Sequence, residues 1–252
     1  MKHILVILFL SAFVSTPNAK AQKTSGTIEY DRKQDWVQIS SKLPYMTQEE
    51  IDRQRLSWGR MMNDGPGQPY TLYFNADESL YTYSEDSEGG GFRGRGGQDE
   101  YLLIRDYANK TVYDQVDVLG KTYIIQEDAE RIKWKILNEI KEVAGYLCMK
   151  AETIDPVKGT KVHAWFSDEI PVYGGPEGYF GLPGMILGLD FNDGDVVITA
   201  TKVNFSEEPV ELPIPKKMKG KNITYEELHA KKKKYIDDTI EGRRNPYWQL
   251  RY

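Results

Sequence analysis

A chain of 252 residues with 38 acidic side chains against 33 Lys and Arg carries a formal net charge of −5, which argues against nucleic acid or an anionic membrane surface as the main partner. The length suffices for one large domain with a full core. The single cysteine, Cys148, excludes an internal disulfide, and its place between Leu147 and Met149 marks it as a core residue rather than a nucleophile.

Residues 1–21 read as an export signal: Lys2, the apolar run Ile4–Leu10, then Ala19-Lys20-Ala21 before the expected cleavage. The apolar run is too short to span a bilayer, and no later stretch reads as a transmembrane helix. Loss of Lys2 and Lys20 with the signal would take the net charge from −5 to −7. The expected location is the periplasm or the periphery of the outer membrane. Gly26–Asp31 alternates as a first strand. Thr47-Gln48-Glu49-Glu50 is a capping box, predicting a helix over 48–57 that covers one face or end of a sheet.

Strands then dominate. Tyr70–Phe74 and Ser79–Tyr83 form a predicted hairpin around Asn75–Glu78. The Gly/Arg run 89–97 reads as a flexible loop between two strands rather than a nucleic-acid segment. Tyr101–Tyr107, Lys110–Val116, Lys121–Ile125 and Ile132–Ile136 are aromatic and β-branched runs with short connections, the mark of an antiparallel meander. Gly145–Thr153 and Lys161–Phe166 make the next hairpin. Gly181, Pro183 and Gly184 suit a tight turn into the strand Met185–Leu189, where Gly188 predicts a bulge or a close backbone approach. Asp193-Gly194 turns into Asp195–Val203. Residues 206–221 read as a Lys/Pro linker. Thr224-Tyr225-Glu226-Glu227 is a second capping box, opening a helix to about Ile240 with Gly242 as its stop. The four lysines 231–234 on that helix read as a solvated face, and 245–252 as an aromatic, basic tail.

Three blocks carry a resemblance to a known family. Gly181-Leu-Pro-Gly-Met-Ile resembles the signature of the GLPGLI family, with Met185 in place of its second leucine. Ala164–Val172 with Gly175-Pro176 resembles the family's AWFT-x-EIPV…GP block, and Gly145–Ala151 its GYxCxKA block. The resemblance implies an exported bacterial protein and implies no activity. The strand order and aromatic sheet also look like the open half-barrel of periplasmic lipoprotein carriers, an analogy of fold alone.

No P-loop, dinucleotide fingerprint, GxSxG, HExxH or CxxC is present. Asp190–Asp195 lacks the spacing of a calcium loop and reads as a hairpin turn. No cofactor or metal is called for. The expected fold is mainly β: a curled antiparallel sheet or incomplete β-barrel of about ten strands with two peripheral helices. The expected organisation is a signal at 1–21, a β-rich domain at 22–205, and a linker, helix and tail at 206–252. The expected function is a non-enzymatic binding protein. It would hold an apolar ligand or a partner's exposed segment near Trp165, Tyr179, Gly181, Leu182, Pro183, Gly184 and Met185. The alternatives are a soluble accessory of an outer-membrane transport or secretion system, and a carboxylate-dependent hydrolase that no motif supports.

Overall fold

Alternating apolar residues build one sheet along nearly the whole chain. The structure, a computed structural model, describes residues 24–63, 66–84, 101–130 and 132–252. The export signal and the Gly/Arg run lie outside the described residues, as does part of the loop after the first long helix. Among the described residues there are twelve strands: β1 Gly26–Gln34, β2 Gln68–Phe74, β3 Glu78–Tyr83, β4 Tyr101–Asp106, β5 Thr111–Val118, β6 Lys121–Asp128, β7 Lys135–Val143, β8 Tyr146–Ile154, β9 Lys161–Ser167, β10 Met185–Phe191, β11 Val196–Phe205 and β12 Lys221–Asn222. Their spatial order is β12-β6-β5-β4-β3-β2-β1-β11-β10-β9-β8-β7. Two meanders, β1–β6 and β7–β11, are therefore joined where the first strand pairs with β11. All pairs are antiparallel except β12 with β6, and the sheet is open and curled.

The inner face carries the main core. Ile28, Tyr30, Tyr70, Leu72, Phe74 and Phe166 are each at most 1% exposed, which leaves no doubt about which face is dry. A smaller cluster lies on the outer face, where Leu80, Leu102 and Ile104 are covered by Leu212, with Ile214 and Met218 packed against them. The Lys/Pro segment thus lies against the sheet: the Val210 N–H donates to Ser25 Oγ at 2.7 Å and the Lys219 N–H to Gln115 Oε1 at 3.0 Å.

Among the described residues three α-helices accompany the sheet: α1 Trp36–Ser41, α2 Gln48–Asn63 and α3 Tyr225–Glu241. Both predicted capping boxes form. Thr47 N donates to Glu50 Oε2 at 2.9 Å, and Glu227 N donates to Thr224 Oγ1 at 3.1 Å. The predicted covering role of the 48–57 helix is corrected. Leu56 is 89% exposed, and the helix carries the surface pair Arg53–Glu49. It packs beside α1, and α3 covers the cavity instead. One strand prediction is also corrected. The run 132–136 contributes only its end to β7, whose edge position leaves most of its residues exposed, so its sequence lacks the apolar alternation of a half-buried strand. The short parallel strand β12 was not predicted.

Candidate functional site

The glycine-rich signature organises the turn into β10. Gly184 has φ +146°, and a Cβ there would overlap the Ser167 carbonyl. Only glycine lets the two backbones approach in this way. Leu182 and Met185 are buried in the core, while Gly181 and Pro183 face solvent. The predicted bulge is present: the β9 register shifts between Ile186 and Gly188. At the shift the Ile186 carbonyl accepts a hydrogen bond from the buried Tyr30 hydroxyl at 2.7 Å. Trp165 lies on the opposite face of β9 from the buried Ala164 and Phe166, with the Lys141 ammonium 4.3 Å from its ring centre. Of the seven residues named from the sequence, only Tyr179 lines a large open space enclosed by the sheet.

That space is a cavity of about 730 Å³ inside the curl, within the roughly 300–1,000 Å³ usual for small-molecule sites. Inward-pointing Leu103, Val112 and Val116 form the sheet wall, and Tyr179, Phe180 and Phe191 face them. Helix α3 covers the cavity with Leu228, His229, Lys232 and Ile236. Leu228 and His229 lie four and three residues before Lys232 and Ile236 four after it, which places them on one helical face. The tail 245–252 completes the lining with Leu250, Arg251 and Tyr252.

Charged groups are held among these apolar walls by named partners. Glu177, at positive φ (55°), presents a side chain that is 8% exposed. It pairs with Arg251, accepts a 2.7 Å hydrogen bond from the Tyr101 hydroxyl, and lies 3.8 Å from Arg32 Nε. Burial alone would raise this carboxyl, but Arg251, Arg32 and Tyr101 outweigh it and bring it down to about 2. The Arg251 guanidinium also lies 4.3 Å from the Tyr101 ring centre, so charge and ring faces hold it together.

Arg105 donates to Asp114 at 2.5 Å and to the Tyr225 hydroxyl at 3.2 Å, and that hydroxyl donates in turn to Asp114. Lys158 pairs with Asp155 at 2.8 Å. Burial works to raise Asp155, yet Lys158 and the N–H groups of Lys158 and Val157 hold it below its ordinary value. Neither Asp155 nor Glu177 is kept protonated, as a carboxyl acting as general acid must be.

Lys232 differs from these. It is partly buried, and among the described residues it makes no hydrogen bond or ion pair. Burial first, then Lys158 and more weakly Arg251, lower its ammonium to about 8, opposed by Asp155 and Glu177. The neighbouring His229 imidazole is lowered by burial and by Lys232. Sequence reasoning passed over Lys232 because it sits in a run of four lysines. Its helical spacing from Tyr225, Leu228 and Ile236 was the available signal. Cys148 is fully buried, and burial pushes its thiol up to about 11, as suits a core residue. Among the described residues no cluster of His, Cys, Asp and Glu has the makings of a metal site, and no helix is long and apolar enough to cross a membrane.

Comparison with known proteins yields three findings. A family model described as "Protein of unknown function (Porph_ging)" matches residues 156–188, the segment from the β8–β9 turn to Gly188. No curated protein matches. The fold is similar to the structure of PNGF-II in two crystal forms. In the P21 form the TM-score is 0.55 at 15% identity, covering 82% of this chain and 33% of that one. In the C2 form the TM-score is 0.51 at 14% identity, with the same coverage. This chain spans about a third of the PNGF-II chain, and at such identity the likeness is one of fold alone.

Proposed function

We propose that this chain is an exported, non-enzymatic binding protein of the periplasm or outer-membrane periphery that holds an apolar ligand inside its curled sheet. The observation that carries the reading is the aliphatic and aromatic cavity beneath α3, whose size suits one small amphiphile. The placement of charge supports it further, since the most buried carboxylates, Glu177, Asp114 and Asp155, are tied up by Arg251, Arg105 and Lys158. Export rests on the sequence of residues 1–21.

Native mass spectrometry of the protein purified without denaturation tests this reading. The expected result is a bound apolar species in stoichiometric amount, absent from a Val116→Trp variant that fills the cavity from its sheet wall while remaining folded. A clean unliganded mass for the wild type, together with no uptake of added amphiphiles, would overturn it. A specific observation favours a second reading, an accessory that docks on a protein partner. The edge strand β7 and its neighbour β8 expose Ile136, Ile140 and Leu147, each 55–62% accessible, and an open edge accepts a further strand.

A further inference from the structure

Among the described residues, most of the charged groups that line the cavity have a partner, and Lys232 does not. Arg105 is neutralised by Asp114, Arg251 by Glu177 and Lys158 by Asp155. Glu127 is engaged as well, accepting the Tyr225 N–H at 3.3 Å. The second guanidinium beside Glu177, that of Arg32, adds to the positive side. Lys232 has no partner among the described residues and looks into the same space as Lys158 and Arg251. Of the other acids in the lining, Asp128 and Glu130 are exposed and so act through solvent and salt, Glu152 is paired with Lys161 and His163, and Asp117 is engaged elsewhere. An ammonium drawn partly out of water without a counter-ion is unfavourable, and the natural completion is an anion supplied from outside.

We propose that the cavity takes an anionic amphiphile, with a carboxylate or phosphate head paired to the Lys232 ammonium and an apolar chain along Leu103, Val112 and Val116. This rests on the reading of the cavity as a ligand site and adds the chemical class of the ligand. The head is fixed by charge-assisted hydrogen bonds from a cation no other side chain occupies. The chain is held by area removed from water, to which charge is indifferent.

Isothermal titration calorimetry of the whole chain with myristate, myristoyl lysophosphatidate and tetradecanol tests this. Chain length is equal in all three, and only the head differs. The wild type is expected to bind at least one of the two anions about tenfold or more tighter than the alcohol, the scale of one charged hydrogen bond. Lys232→Met should abolish that ratio and Lys232→Arg should keep it. Preference between the anions distinguishes a fatty-acid head from a phosphate one. Equal affinity for all three, or a ratio untouched by Lys232→Met, overturns the anionic ligand while leaving an apolar site. Binding of none of them overturns the ligand-site reading itself.

Discussion

Gly184 and Gly181 both have positive φ, yet their substitution costs differ, because one is crowded and the other is not. A Cβ at Gly181 (φ +88°) meets nothing within 4 Å, whereas one at Gly184 overlaps backbone of Ser167. Gly181→Ala should therefore cost about 1–2 kcal/mol, the left-handed backbone penalty. Gly184→Ala should cost more, at least about 2–3 kcal/mol, because backbone cannot rotate away as a side chain would. Urea unfolding of the two variants checks the order. Glu177 supplies a second test at this scale. Its carboxyl, ordinarily at 4.5, lies at about 2 in the folded protein. The folded value is the lower, so its contribution is complete above the unfolded value. It is lost as pH falls from there through the folded one. Denaturant midpoints of the wild type should drop across that acid window. In Glu177→Gln that part of the slope should vanish, at a cost of about 3–5 kcal/mol at neutral pH for leaving Arg251 and Arg32 uncompensated.

Helix α3 shows how much a local code can carry. Thr224 and Glu227 specify its start, Gly242 its end, and Tyr225, Leu228 and Ile236 the face it turns to the sheet. All of this is legible from residue spacing. Thr224→Ala should cost about 1 kcal/mol and speed amide hydrogen exchange in the first turn of α3, beside the cavity, more than in β1 or β11. Other elements were less legible for physical reasons. Strand β7 is an edge whose residues mostly face water, so the alternation that identifies β2 and β5 is absent from Lys135–Val143. Helix α1 is six residues long, held by the Asp35 cap and by burial of Val37 and Ile39, too short to show a period. The candidate site was the least legible part. Its walls come from β4, β5, α3 and the tail, and only the curl brings them together. The conspicuous glycine signature shapes a neighbouring turn and contributes Tyr179 only through the segment before it.

At the scale of the whole molecule, one sheet serves two surfaces. The inner face of its β4–β6 end turns toward the cavity, and the outer face there is sealed by Leu212, Ile214 and Met218. The Lys/Pro segment and α3 therefore grip the same strands from opposite sides, with β12 marking the crossing at the β6 edge. This explains why a region of linker-like composition is packed: its apolar residues are few but meet Leu80, Leu102 and Ile104 directly.

The pairing of β1 with β11 also has a consequence for the order in which the molecule assembles. Strands β1 to β6 are neighbours in sequence and β7 to β11 likewise, so each half has mainly short loops to close. Joining them requires Tyr30 to meet Ala200 and its hydroxyl to reach Ile186, contacts between residues some 156–170 positions apart. Such closures are slow to form and leave the β1 edge open until they do. Everything that roofs the cavity, from Ile223 to Tyr252, follows β11 in the chain. The roof of the pocket is thus the part of the chain synthesised last, added to a sheet whose long strands all precede it.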